Sequence, residues 1–109
     1  MEKDAKQSQS EESLVSIVIV KQEKDNWVSG SCGRYKFQAK VYENSSEYGI
    51  NNGRVSKLNI WRTINSKKIE VVNYDRGWDI KPATEYDFTV FLAILFCLED
   101  YGKNQLMKK

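Results

Sequence analysis

Over residues 34–43, polar and apolar side chains alternate one for one. Tyr35, Phe37, Ala39 and Val41 point one way, and Lys36, Gln38, Lys40 and Tyr42 the other. A period of two marks a strand with one buried face. Residues 54–64 alternate as well, with Ser56, Leu58 and Ile60 on one side and Val55, Lys57, Asn59 and Trp61 on the other. Residues 14–21, LVSIVIVK, are dense in β-branched side chains and predict a further strand. Residues 69–75 predict another, after a short hairpin turn at 65–68. The polar run 22–26 and the small residues Ser29, Gly30, Ser31, Cys32 and Gly33 read as turns. Residues 44–53 form a loop rich in Asn, Ser and Gly, long enough to carry function.

After Pro82 the period lengthens. Thr84, followed three residues on by Asp87, resembles a capping box, and Glu85 adds negative charge at the positive end of the helix dipole. Phe88, Phe91, Leu92, Leu95 and Leu98 recur at helical spacing, and Gly102 stops the helix. Val90, Ile94 and Phe96 widen the stripe until the helix is apolar almost all round, so most of its sides need cover. The expected fold is α+β: an antiparallel sheet of three to four strands curled around one C-terminal apolar helix. It forms a single domain over residues 14–109. Residues 1–13 hold no large apolar side chain after Met1 and are expected to be a disordered tail.

A chain of 109 residues, 40% hydrophobic and 29% charged, can build one modest core. Its polar N-terminus lacks the apolar stretch of a signal peptide, and the apolar run 88–98 is too short to span a bilayer. A cytoplasmic location with no membrane partner is expected. Cys32 and Cys97 are not expected to pair in a reducing compartment. The net charge of +2 is unevenly spread: residues 34–81 carry ten cations against five anions, while both flanks are slightly acidic.

The chain has no histidine, which removes Ser-His-Asp and Cys-His machinery and any His-ligated zinc site. The closely spaced Gly49 and Gly53 lack the Lys-Ser or Lys-Thr pair of a phosphate loop. Asp75 and Asp79 could share a Mg²⁺ or act as acid and base. On the plainer reading, Arg76 pairs with one of them and the other caps a turn. No enzymatic activity, cofactor or metal is expected.

Two contact surfaces are candidates. Gly49, Gly53 and Gly77 each sit beside an aromatic residue or a cation, and a glycine turn can hold φ > 0 and present a planar group. Tyr48, Arg54, Arg76 and Trp78 thereby form a candidate partner-binding set, of the Trp and Arg kind that protein hot spots favour. In the second candidate, Lys36, Lys40, Tyr42, Lys57 and Trp61 share one exposed sheet face, with rings to stack bases and cations to track phosphates. Its bland counterpart is a solvated lysine face with Trp61 packed on a neighbouring loop. Trp27 and Trp78 flank glycines, where tryptophans ordinarily close the edge of a small core.

The segment 27–82 contains W-x₂-G from Trp27, the strand Tyr35-x-Phe37-x-Ala39-Lys40, YGINNGRVSKLNI and NYDRGWDIKP. It resembles small uncharacterised proteins of Gram-positive bacteria, their phages and their conjugative elements. The resemblance implies an accessory gene of a mobile element, a setting in which neutralising host defences, CRISPR nucleases included, is a common role. It carries over no activity and no functional residue. A net charge of +2 is wrong for duplex-DNA mimicry, which needs a dense acidic surface. The expectation is a non-enzymatic binding or inhibitor protein of the anti-defence kind. Its target would be a protein or ribonucleoprotein, met through the loop 44–54 and the turn 75–79. The alternative is a small RNA- or ssDNA-binding module. A homodimer through a sheet edge or the broad helix is a further expectation.

Overall fold

The computed structural model describes residues 17–22 and 24–101. The expected tail at 1–13, the first residues of the expected first strand and the helix stop at Gly102 lie outside them. Among the described residues six strands form one antiparallel meander in which each pairs with the next: β1 (Ile17–Gln22), β2 (Trp27–Cys32), β3 (Tyr35–Val41), β4 (Val55–Ile64), β5 (Lys67–Asp75) and β6 (Trp78–Ile80). One helix, α1 (Glu85–Asp100), follows. The α+β reading with a C-terminal helix therefore holds, but the sheet has six strands rather than three to four. One extra strand is β2, whose Ser-Gly-Ser composition suggests a turn; pairing with β1 on one side and β3 on the other holds it extended. The other is β6, only three residues long.

The hairpin turns explain why so short a chain closes so many ladders. Asp25 and Asn26 have φ of 61 and 70, and Asn65 and Ser66 have φ of 51 and 67. Two successive left-handed residues give the turn whose twist matches that of the flanking strands. Asn and Asp accept this conformation better than most other non-glycine residues, and Ser66 follows Asn65 into it.

One face of the sheet is buried under α1. Phe37, Ala39, Leu58, Ile60 and Val72 from the sheet meet Val90, Phe91, Ile94, Leu95 and Leu98 from the helix in a single cluster. Irregularities in pairing adjust the alternation. β4 slips by one residue opposite Lys40 and Val41, so Val55 and Ser56 are both buried. The helix starts at Thr84, whose hydroxyl accepts the Asp87 N–H at 3.0 Å. Asp87 does not complete a capping box. Its carboxylate, only 5% exposed, instead accepts the Tyr35 hydroxyl at 2.6 Å, tying the first helical turn to β3. That bond and burial push the Tyr35 pKa up, burial being the larger cause.

The helix is less covered than its sequence suggests. Phe88 is 48% exposed and Phe96 70%, because one sheet packs on one side only. The helix lies on the sheet; the strands do not curl around it on most sides.

Candidate nucleic-acid interface

The sheet face away from the helix is built from three rows of paired residues running across the strands. Trp27, Lys40, Lys57 and Asp75 form the first, through the pairs Trp27–Lys40, Lys40–Lys57 and Lys57–Asp75. Ser29, Gln38, Asn59 and Asn73 form the second, and Ser31, Lys36, Trp61 and Glu70 the third. Each row is the polar half of the strand alternation, so the same periodicity that buries Phe37 and Leu58 presents Lys36, Lys40 and Lys57. The lysine amines lie over aromatic rings. Lys40 Nζ is 5.7 Å from the ring centres of both Trp27 and Tyr42, Lys57 Nζ is 5.9 Å from Trp27, and Lys68 Nζ is 4.2 Å from Trp61. Lys57 also reaches Asp75 Oδ1 at 3.7 Å, and Asn59 Nδ2 donates to Glu70 Oε2 at 2.9 Å. Lys36, Lys40, Lys57 and Lys68 thus face two carboxylates. The face is basic.

Among the hollows that the described residues line, two open on this side and share Lys57. One of about 200 Å³ lies between Trp27, Gln38, Asn59, Asn73 and Asp75. A larger one of about 510 Å³ lies at the end of the sheet, under the β3–β4 loop and beside the β5–β6 turn. The loop is pinned from the helix. Glu99 accepts the Arg54 N–H on both carboxylate oxygens, at 3.1 and 2.8 Å, and the Val55 N–H at 3.3 Å. Arg54 Nη1 donates back to the Glu99 carbonyl, and its Nε donates to the Tyr42 carbonyl at 2.8 Å. The Tyr74 hydroxyl donates to the Tyr48 carbonyl at 2.9 Å. Gly49 and Gly53 serve this closure through their lack of a side chain. A Cβ at Gly49 would fall 2.0 Å from the Gly53 carbonyl oxygen, and one at Gly53 would fall 2.2 Å from Glu99 Oε2. The left-handed residues here are Asn51, Asn52 and Arg76, with φ of 54, 59 and 58; neither Gly49, Gly53 nor Gly77 has positive φ.

The two candidate sets fare differently. Lys36 and Trp61 are direct cross-strand partners, as are Lys40 and Lys57, and Tyr42 sits beside Lys40: all five residues lie on one face. The set Tyr48, Arg54, Arg76 and Trp78 divides. Tyr48 and Arg76 line the large hollow. Arg54 is committed to Glu99 and Tyr42. Trp78 packs edge-on against Tyr74 at 5.2 Å and Phe91 at 5.4 Å, on the helix side of the molecule. Asp79 is exposed, and Asp75 faces Lys57. Among the described residues no three Cys, Asp or Glu side chains cluster as metal ligands would. Burial pushes the thiols of Cys32 and Cys97 up, with Cys97 and Asp100 as their respective lesser causes. No described helix is long and apolar enough to cross a membrane.

Trp27, Lys68 and the amide row Gln38, Asn59 and Asn73 belong to the face and were not in the candidate set. The signal for Trp27 was present: it shares parity with Ser29 and Ser31, opposite Val28 and Cys32, once β2 is read as a strand. No curated protein and no solved structure matches the chain. The family model of a domain of unknown function, DUF7678, matches residues 26–99, from the turn before β2 almost to the end of α1, and the chain belongs to that family.

Proposed function

We propose that the protein is a non-enzymatic binding module whose open sheet face holds single-stranded nucleic acid. The observation that carries this reading is the row arrangement itself. It sets Trp27, Trp61 and Tyr42 among Lys36, Lys40, Lys57 and Lys68 on one surface that no other described element covers. A base stacking on a ring would displace the ammonium now lying over it. That exchange is favourable: an exposed cation–π contact is worth about 0.5–1 kcal/mol and base stacking about 1–3 kcal/mol. The displaced ammonium stays within reach of the backbone phosphate beside that base. In the middle row Gln38 and Asn73 offer hydrogen bonds to base edges, while the Asn59 amide donates to Glu70 and to the Val72 carbonyl. An anti-defence role against a ribonucleoprotein would run through the same face, with RNA as the point of contact.

The test is anisotropy with short labelled single strands of RNA and DNA between about 50 and 200 mM salt. Log affinity should fall with log salt at a slope of about −0.7 per phosphate engaged, hence about −2 to −3 for four lysines. The double substitution Lys36→Ala, Lys40→Ala should make the slope shallower by about 1.4. Trp61→Ala should cost about 1–3 kcal/mol of binding with little change in slope. An unchanged slope in the lysine variant, or no binding at low salt, would sink the reading.

A further inference from the structure

The large hollow at the end of the sheet is a different kind of site from the flat face it adjoins. It is an open hollow lined by Lys40, Ser56 and Lys57 from the sheet, by Arg76 from the β5–β6 turn, and by Tyr42, Ser46 and Tyr48 from the start of the β3–β4 loop. Three basic residues are thus among those around about 510 Å³, a size usual for small-molecule sites, and no acidic residue lines it. Asp75 Oδ1 lies 3.7 Å from Lys57 Nζ and offsets part of that charge, so Lys40 and Arg76 are the cations the hollow depends on.

Arg76 is fixed there at a cost. Its backbone is left-handed, φ 58, a conformation that favours glycine, although glycine is the very next residue. Its N–H donates to the Ser56 carbonyl at 2.9 Å, and the Asp75 N–H closes the turn on the Gly77 carbonyl at 2.9 Å. The opposite wall is the loop pinned by Glu99, which leaves the Tyr48 ring 53% exposed beside the cations. The cations Arg76 and Lys40, with the Ser46 hydroxyl, around one concavity match a phosphomonoester, which carries nearly two charges at neutral pH against one for a diester. The adjacent tyrosines suit a base or sugar attached to it.

We infer that this hollow receives the terminal phosphate of a nucleic-acid strand, so that the protein holds phosphorylated ends in preference to strand interiors. The inference rests on the sheet-face reading for the rest of the strand, but the pocket can be tested apart from it. Three strands of one sequence are compared by anisotropy: 5′-phosphorylated, 3′-phosphorylated and hydroxyl-ended. A nucleoside monophosphate is titrated separately while amide shifts are followed by NMR.

One phosphorylated strand should bind about tenfold or more tightly than the hydroxyl-ended one, as extra hydrogen bonds between charged groups imply. Which of the two does so assigns the end. Arg76→Gly, which suits the left-handed backbone and should fold, should bring that ratio close to one, whereas Arg76→Lys should retain part of it. The monophosphate should shift the amides of Ser46, Tyr48 and Arg76. Equal affinity for all three strands overturns the terminal-phosphate assignment while leaving the sheet face standing. If no strand binds, the sheet-face reading and the strand-end assignment both fail; if strands bind but the monophosphate shifts none of those three amides, the hollow is overturned as the phosphate site while the sheet face stands.

Discussion

Substituting Gly53 by alanine should destabilise the protein, yet the same substitution should stabilise a chain that has already lost Glu99. In the native fold a Cβ at position 53 would lie 2.2 Å from Glu99 Oε2 and 2.8 Å from its Cδ, so the carboxylate must withdraw. Withdrawal breaks its bonds to the N–H groups of Arg54 and Val55. Hydrogen bonds to a charged group contribute about 1.5–3 kcal/mol each when buried. This site is part-buried and water can replace some of the loss, so Glu99→Ala should cost about 2 kcal/mol. Gly53→Ala incurs the same loss less the 0.4–1 kcal/mol or so by which alanine restricts the unfolded chain, leaving about 1–1.5 kcal/mol. With φ of −100 at Gly53, no left-handed penalty is added. Once Glu99 is alanine the steric conflict is gone and only the unfolded-state gain remains. The double variant should therefore be more stable than Glu99→Ala alone, with a coupling near 2 kcal/mol. Urea unfolding of the four chains, with equal m values, measures this cycle. Effects that add to within about 0.5 kcal/mol would refute the role given to Glu99.

Tyr35→Phe should cost about 2–3 kcal/mol in the same assay, because it leaves the buried Asp87 carboxylate without its hydroxyl donor. A loss below about 0.5 kcal/mol would show that water satisfies Asp87 instead. Stability should hold below about pH 9 and fall above it, as seen in Tm against pH. Tyr35, Cys32 and Cys97 all have pKa values raised above the ordinary 10.0 and 9.0, so the unfolded chain releases protons that the folded one still holds. A Tm that rises between pH 9 and 11 would contradict that sign.

Strand alternation in β3, the hydrophobic face of α1 and its Thr84 cap were legible because each is a local pattern: a period, or a hydroxyl three residues before its N–H. β2 was not, since Ser, Gly and Ser have little tendency to extend and are held so only by neighbours on both sides. The five residues of the alternative contact face could be grouped because parity within a strand fixes the side on which each lies. Which rows they would share depended on the register slips opposite Val41 and Trp61, which no local signal marks. Glu99 was invisible for another reason. Its partners Arg54 and Val55 lie 45 and 44 residues away, and a carboxylate at the end of a helix is ordinarily solvated. Gly49 and Gly53 answer to close approach rather than to positive φ, and Gly77 to neither, since nothing lies within 4 Å of its Cβ position.

The order of elements sets a problem for the chain while it is being made. All six strands precede the helix that covers them, and each pairs with its immediate neighbour in sequence, so the meander can assemble on the ribosome as it emerges. Its apolar side, with Phe37, Leu58, Ile60 and Val72, then stays wet until the 16 residues of α1 have followed. At roughly 5–20 residues per second that is an interval of about one to three seconds. During it the nascent sheet offers a surface that chaperones, or a second nascent chain, would recognise. A ribosome-stalled chain with residues 1–84 ahead of an unstructured linker long enough to fill the exit tunnel should accordingly be captured by ribosome-associated chaperones, and one with residues 1–100 ahead of the same linker should be released; equal capture of both would mean that the sheet does not form ahead of its helix.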